Sequence, residues 1–275
     1  RTYTGSSLPN SYGVGSDNFN ERNYIVSLNA RKDNLFGKWN GSASAFGQIM
    51  KQESNWLSSS AGSLTVPNLF TIGNSEGNPG FSEGISEKQI NSLFGTAELN
   101  YDNFWFINVT ARNDWSSTLS KENRSYFYPS ISTSFVISDM IDKTGGSTPS
   151  WLNFAKVRAS YAETGGSLAP YELYNTYSIG KDPNGNTTAS KNPTKYNPNV
   201  LSELLKSFEV GFDIRAFNRL SLDFAYYKTN ATNQLIKLAM NPLSGYQNYM
   251  ANAGNIQNQG LEAVLGINVM KNPEK

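Results

Sequence analysis

The feature that most constrains the fold is the stretch SFEVGFDIRAFNRLSLDFAYYKTN at residues 207–230. Before Asn218, Phe208, Val210, Phe212, Ile214 and Ala216 fall on one side of an extended chain, and Glu209, Gly211, Asp213 and Arg215 on the other. After it, Leu220, Leu222, Phe224 and Tyr226 alternate with Ser221, Asp223, Ala225 and Tyr227. Side chains alternate across a strand, so a period of two with one apolar and one charged side predicts two strands joined at Asn218. A β-sandwich in water satisfies the pattern, and so does a barrel wall with lipid outside and water inside.

The same period predicts further strands at residues 22–31, 38–51, 93–101, 104–113, 131–138, 154–163 and 260–270. Trp39, Gly41, Ala43, Ala45, Gly47 and Ile49 form the less polar side of the second of these. A short strand is possible at 172–179, and a helical turn within 139–153. The main strands number nine and run to about ten residues, the length that crosses a bilayer at a tilt. Strands of soluble sheets cluster nearer five or six. Connections alternate shorter and longer along the chain, with long ones at 52–92, 164–206 and 230–259, and the fifth, 139–153, close in length to the fourth, 114–130. Outer-membrane barrels have short periplasmic turns and long extracellular loops. The sequence therefore predicts an all-β fold, a segment of an up-and-down transmembrane barrel.

Composition narrows the chemistry. With 23 basic and 22 acidic residues, nothing favours nucleic acid. The absence of Cys removes disulfides and thiolate metal sites, and the absence of His removes Ser-His-Asp chemistry and His-bound zinc. Mean hydropathy is −0.48 and no run is apolar enough for a membrane helix, a test that barrels escape because lipid-facing residues alternate with polar ones. A secreted glycan-binding or adhesin sandwich stays open, as does a glycan hydrolase, whose two carboxylates need no His. A sandwich requires shorter strands and an apolar side buried between sheets.

Residues 93–139, LFGTAELNYDNFWFINVTARNDWSSTLSKENRSYFYPSISTSFVISD, resemble the barrel of SusC/RagA-type TonB-dependent outer-membrane transporters. Arg112, Asp114, Ser116 and Ser117 match an R-x-D-x-S-S-like stretch; Tyr128, Pro129, Ser130 and Ser132 match the Tyr-Phe-Pro-Ser-x-Ser stretch after it. Trp115 takes a usual glycine position, and Tyr126-Phe127-Tyr128 replaces the common order. NFAKVRASYAETGG at 153–166 resembles the family's L-K-x-R-A-S-Y-G-x-T-G, with Ala162 for glycine. Asn197-Pro198-Asn199, the Asn218-Arg219-Leu220 turn with Tyr226-Tyr227, and NAGNIQNQGLEAVLGINVMK at 252–271 follow in family order. The resemblance covers residue 93 to the end, while 1–92 carries little signature.

What the resemblance implies is energised nutrient import, with a glycan oligosaccharide or peptide as cargo, and no enzymatic activity. It implies a Gram-negative outer-membrane location, a SusD-like surface lipoprotein as partner, and TonB acting through a plug domain. The plug is expected outside this sequence, with residues 1–275 part of one barrel domain of about 22 strands.

On that basis Glu98, Arg112, Glu209, Asp213, Arg215, Asp223 and Glu262 are candidate lumen-facing residues. Leu99, Trp105, Ile107, Val109, Val210, Phe212, Ile214, Leu222, Phe224, Leu265 and Ile267 are expected to face outer-membrane lipid. Tyr101, Phe104, Trp105, Trp39 and Trp151 form an expected interfacial girdle near the short connections. Trp56, Tyr171, Tyr174, Tyr177, Tyr246 and Tyr249 are expected on loops, where flat amphipathic rings suit cargo or partner contact. No catalytic residue and no cofactor are expected. Asp114 with Glu122, or Asp182 with Asn184, are the groupings to consider for calcium, and neither has EF-hand spacing.

Overall fold

The computed structural model describes residues 11–182 and 184–269, so Met270, predicted to end the last strand, lies outside the described residues. The long strands are β1 (Ser11–Phe36), β2 (Trp39–Ser63), β3 (Gly80–Tyr101), β4 (Trp105–Ser116), β5 (Ser125–Val136) and β6 (Leu152–Gly166). Three short strands follow, β7 (Tyr177–Lys181), β8 (Thr187–Lys191) and β9 (Thr194–Tyr196), then β10 (Glu203–Ala216), β11 (Leu220–Ala239) and β12 (Asn248–Ile267). A short helix α1 (Ile137–Lys143) follows β5. Contacts divide the chain into two compact units, one holding residues up to Tyr24 with Ile49–Gln89, the other Ile25–Gln48 with everything from Ile90 on.

In the first unit the connection 64–79 folds around Asn74. Its amide donates to the carbonyls of Val66 and Leu69, both at 2.8 Å, and its Oδ1 accepts from the Val66 N–H at 3.0 Å. Trp56 lies over Gly84, where the missing Cβ leaves room for the indole.

In the second unit the strands pair in chain order, except that β10 follows β6 directly and β9 attaches beyond β12. From β3 through β4, β5, β6, β10 and β11 to β12 each neighbouring pair is antiparallel; β9 runs parallel to Asn248–Met250 of β12. Register aligns like with like. Leu99, Ile107, Thr133, Ala159, Val210, Tyr226 and Leu261 form one row across seven strands, and Glu98, Asn108, Ser132, Ser160, Glu209, Tyr227 and Gly260 form the adjacent row on the opposite side. Phe212 stacks on Phe224 with ring centroids 5.3 Å apart. No second sheet covers the apolar side among the described residues: Val109, Val210, Leu261 and Leu265 are exposed there. Exposure of this side and strands of 12 to 26 residues both count against a soluble sandwich.

The turns at the short connections are built from left-handed residues. Asp102 and Asn103 have φ of 47° and 57°, and Phe217 and Asn218 have 56° and 54°. Paired positive φ values match the twist of the flanking strands, and Asn and Asp tolerate them. Lys38 Nζ holds Asp102 Oδ2 at 2.5 Å, joining two neighbouring turns, and this hydrogen bond raises the Lys38 pKa.

Several sequence expectations are corrected. All three long loops are shorter than predicted. β2 extends to Ser63 and β3 starts at Gly80, β11 extends to Ala239 and β12 starts at Asn248, and segment 164–206 contains β7, β8 and β9. The strand expected at 131–138 is Ser125–Val136, with α1 beginning at Ile137. In consequence the fourth connection, 117–124, is shorter than the fifth, 137–151, so alternation of length fails at that point. Apolar–polar alternation fades where strands outgrow the apolar band, and the sequence pattern ends before the ladder does.

Candidate functional site

Three features of the second unit carry chemistry. The first is the polar side of the sheet, which borders a cavity of about 560 Å³ lined by Asn40, Glu98, Asn108, Ser132, Arg158 and Glu209 among others. Arg158 on β6 is its organising cation. Its guanidinium crosses β10 to reach Asp223 Oδ1 on β11 at 3.0 Å and meets Glu209 Oε1 at 3.4 Å. Gly211, opposite Arg158 in the ladder, makes the crossing possible: a Cβ there would lie 3.0 Å from Arg158 Cζ. Glu98 has neutral partners, Asn108 Nδ2 at 3.2 Å and Ser42 Oγ at 3.5 Å. Arg215 packs over the Phe154 ring, 5.1 Å from its centroid, and lies 3.8 Å from Asp213. Glu262 is in register with Ala225 on the same side of β12 as this polar set.

The second is a buried node farther along the same side. Asp114, 5% exposed, accepts from Arg112 Nε at 2.8 Å and from the Tyr128 hydroxyl at 2.6 Å. Arg112 also donates to Ser92 Oγ at 2.8 Å and covers the Phe94 ring at 4.7 Å. A carboxylate out of water needs such charge-assisted donors. The node thus joins the Arg and Asp of one sequence motif to the Tyr of the next.

The third is the surface made by the longer connections. Leu119, Leu168, Leu173 and Val200 form a small core beneath it, with Val200 only 1% exposed. Asn252 clamps the loop that precedes β10, its Oδ1 accepting from Leu201 N–H at 2.8 Å and its Nδ2 donating to Leu201 O at 3.0 Å. Above this core Tyr171, Tyr174 and Tyr177 are 55, 62 and 63% exposed. Lys191 Nζ sits 3.4 Å from the Tyr246 ring centroid.

Not all of the six candidate aromatics are on loops. Trp56 belongs to β2, Tyr177 opens β7 and Tyr249 belongs to β12. Tyr171, Tyr174 and Tyr246 lie on connections. Register puts Leu99, Trp105, Ile107, Val109, Val210, Phe212, Ile214, Leu222, Phe224, Leu265 and Ile267 on one side of the sheet and Glu98, Arg112, Glu209, Asp213, Arg215, Asp223 and Glu262 on the other. Trp39, Tyr101, Trp105, Phe104 and Phe135 form a contiguous aromatic cluster at the 102–104 turn, and Trp151 meets Phe217 at the next short turn. Asp182, weighed for calcium, accepts from the backbone N–H groups of Asn184 and Asn186 and from Asn186 Nδ2, which lowers its pKa. Among the described residues no three carboxylates come together. Sequence reading missed Arg158 as a site residue, although the lone Gly211 between Glu209 and Asp213 marked the opening a crossing side chain fills.

A two-sided wall of long antiparallel strands with turn-level aromatics defines an outer-membrane barrel segment, and no helix among the described residues is long and apolar enough to cross a membrane. A family model described as "TonB dependent receptor-like, beta-barrel" matches residues 1–270. TonB-dependent receptor P3 of Formosa agariphila is 30% identical over 188 residues, which is 66% of this chain and 18% of that protein. Among solved structures, "Structure of the RagAB peptide transporter" aligns with a TM-score of 0.82 at 20% identity, over 94% of this chain and 29% of that one. The RagAB peptide importer in the "closed-closed" state gives 0.81 at 21% identity, over 95% and 29%. The chain belongs to the TonB-dependent receptor β-barrel family of the Gram-negative outer membrane, and its fold is that of the RagAB barrel wall. It spans less than a fifth of the curated relative's length. The family match reaches residue 1, so it takes in the 1–92 stretch, whose sequence carries little signature of its own.

Proposed function

We propose that this chain forms part of the wall and surface loops of a TonB-driven importer for a nutrient, a glycan oligosaccharide or a peptide. The observation that carries this is the two-sided wall: an apolar outer side suited to lipid, and an inner side bordering a polar cavity organised by Arg158. In this scheme Glu98, Arg112, Glu209, Asp213, Arg215, Asp223 and Glu262 line the water-filled interior, where cross-strand ion pairs keep the wall polar. Tyr171, Tyr174 and Tyr177, with Tyr246 and Tyr249, form the outer contact surface for cargo or for a SusD-like lipoprotein partner. TonB acts through a plug domain, and this segment supplies no catalytic group.

The test is uptake by cells carrying the intact receptor with Tyr171, Tyr174 and Tyr177 changed together to Ala. Expected is normal receptor abundance in the outer membrane, with growth on the receptor's nutrient reduced about five-fold, since loss of stacking on one ring is worth roughly 1 kcal/mol. Unchanged growth at equal abundance would remove these tyrosines from cargo and partner contact.

A further inference from the structure

Tyr171, Tyr174 and Tyr177 stand on a segment that the barrel ladder does not hold. The β7–β8 hairpin that follows them pairs only with itself, and every residue of both strands is exposed. A lone two-stranded hairpin is marginally stable in water, so it cannot order its neighbours. Rings that must be ordered at the moment of contact lose affinity to that ordering, and a surface fixed beforehand does not. What fixes this one is found behind it.

Asn175, next to Tyr174, pairs its side-chain amide with the backbone of Tyr196 at the end of β9. Its Oδ1 accepts from the Tyr196 N–H at 2.8 Å, and its Nδ2 donates to Tyr196 O at 3.1 Å. The N–H and C=O of one strand residue leave the strand on the same side. Those of Tyr196 therefore turn to Asn175, and those of Lys195 turn to β12, where Lys195 is in register with Tyr249. One asparagine side chain takes the place of a further strand on β9.

β9 itself is fastened to the wall. Pro193 O accepts from the N–H groups of Gln247 and Asn248 at 2.8 and 3.2 Å, and β9 then runs beside Asn248–Met250. Thr194 and Met250 are buried in this seam. Farther on, Asn252 repeats the two-bond pattern on Leu201 and also donates to Asn233 O at 2.7 Å. From the other side Asn123, on the 117–124 connection, donates to Asn199 O at 3.0 Å. A continuous path of contacts thus leads from β12 through β9 and Asn175 to Tyr174.

We propose that β9 and Asn175 form a splint between the barrel wall and the tyrosine surface, with Asn175 the positioning residue that sets Tyr174 and its neighbours before cargo or partner arrives. This rests on the reading of Tyr171, Tyr174 and Tyr177 as a contact surface.

The test uses the intact receptor, with amide exchange over residues 170–176 and nutrient uptake as separate readouts. Asn175→Ala removes the side-chain pair, and Lys195→Pro removes a ladder donor. Each should speed exchange over 170–176 about five-fold while β10 and β11 stay protected. Each should also raise the half-saturating nutrient concentration about five-fold, with maximal uptake and receptor abundance unchanged. Thr194→Cys/Asn248→Cys joins paired positions about 4.8 Å apart, within disulfide reach, and residues 1–275 hold no other Cys. Oxidised, this pair should return Lys195→Pro to the unaltered half-saturation, and reduction should undo the rescue. Unchanged exchange in both variants, or no disulfide between 194 and 248, would overturn the splint whatever uptake does. Faster exchange at unaltered half-saturation would overturn the positioning role. The tyrosine reading is decided separately, by the variant in which Tyr171, Tyr174 and Tyr177 are all Ala.

Discussion

Arg158 shows how much one side chain and one missing side chain decide together. Its reach from β6 to β11 exists because β10 presents Gly211 beneath it. A Cβ at 211 would also come 2.6 Å from Phe224 O, so Gly211→Ala must displace backbone as well as the guanidinium. The expected cost is about 1–3 kcal/mol, the range for overpacking, measured as refolding of the intact receptor into lipid vesicles. At the buried node, Arg112→Ala would leave Asp114 with the Tyr128 hydroxyl and no cation. An uncompensated buried carboxylate costs about 3 kcal/mol, and the same titration should show it. Asp182 gives a pH effect with a definite sign. Its pKa is lowered by donors from Asn186 and Asn184, so the order it gives the β7–β8 turn is present above the unfolded carboxylate value. That order is lost as pH falls through the lowered folded value, below about 4. Amide exchange at Asn184 and Asn186, taken relative to the intrinsic rate at each pH, should be slow at pH 7 and accelerate at pH 3. Asp182→Ala should show the faster exchange at pH 7 as well.

At the scale of elements, alternation was legible wherever the two sides of a strand meet different surroundings. Phe212 and Asp213 announce their sides unambiguously, and the nine long strands, with the tight turns at Asp102-Asn103 and Asn218, follow from that pattern. It fails in SNWLSSSAGS of β2, where Ser and Asn fall on both sides and nothing in the sequence separates ladder from loop. It fails again at Asn233, whose φ of 57° accompanies a register shift between Ala231 and Gln234. A bulge of this kind reverses sides by one residue, and alternation alone cannot place it. The loop core was equally hidden: Leu119, Leu168, Leu173 and Val200 are scattered over 82 positions with no period to join them. Leu173→Ala should cost about 2–3 kcal/mol of local stability. The expected signature is faster proteolysis within 167–202 while the barrel strands stay protected, and equal protection of that segment would remove Leu173 from the loop core.

At the scale of the whole molecule, the chain is a piece of wall whose two sides were readable from period, and whose family was readable from ordered motifs. Cargo was not readable, for a physical reason. A polar barrel interior of Glu, Asp, Arg, Asn and Ser is required by water alone, so its residues carry little information about what passes. On the proposed reading, selectivity for a glycan or a peptide rests on the placement of a few rings and ions across loops far apart in sequence, such as Tyr174 and Tyr246. Arg158 belongs to the same class: its importance is set by neighbours two strands away.

The most direct test of the two-sided wall compares neighbours on opposite sides of β10. Phe212 stacks on Phe224 near the middle of the apolar band, and Asp213 is its sequence neighbour on the polar side. Refolding of the intact receptor into lipid vesicles should lose about 2–4 kcal/mol for Phe212→Arg, the cost of a cation near the bilayer midplane. Asp213→Asn should refold within about 0.5 kcal/mol of the unaltered receptor. Equal losses for the two, or a larger loss for Asp213→Asn, would contradict lipid on the Phe212 side.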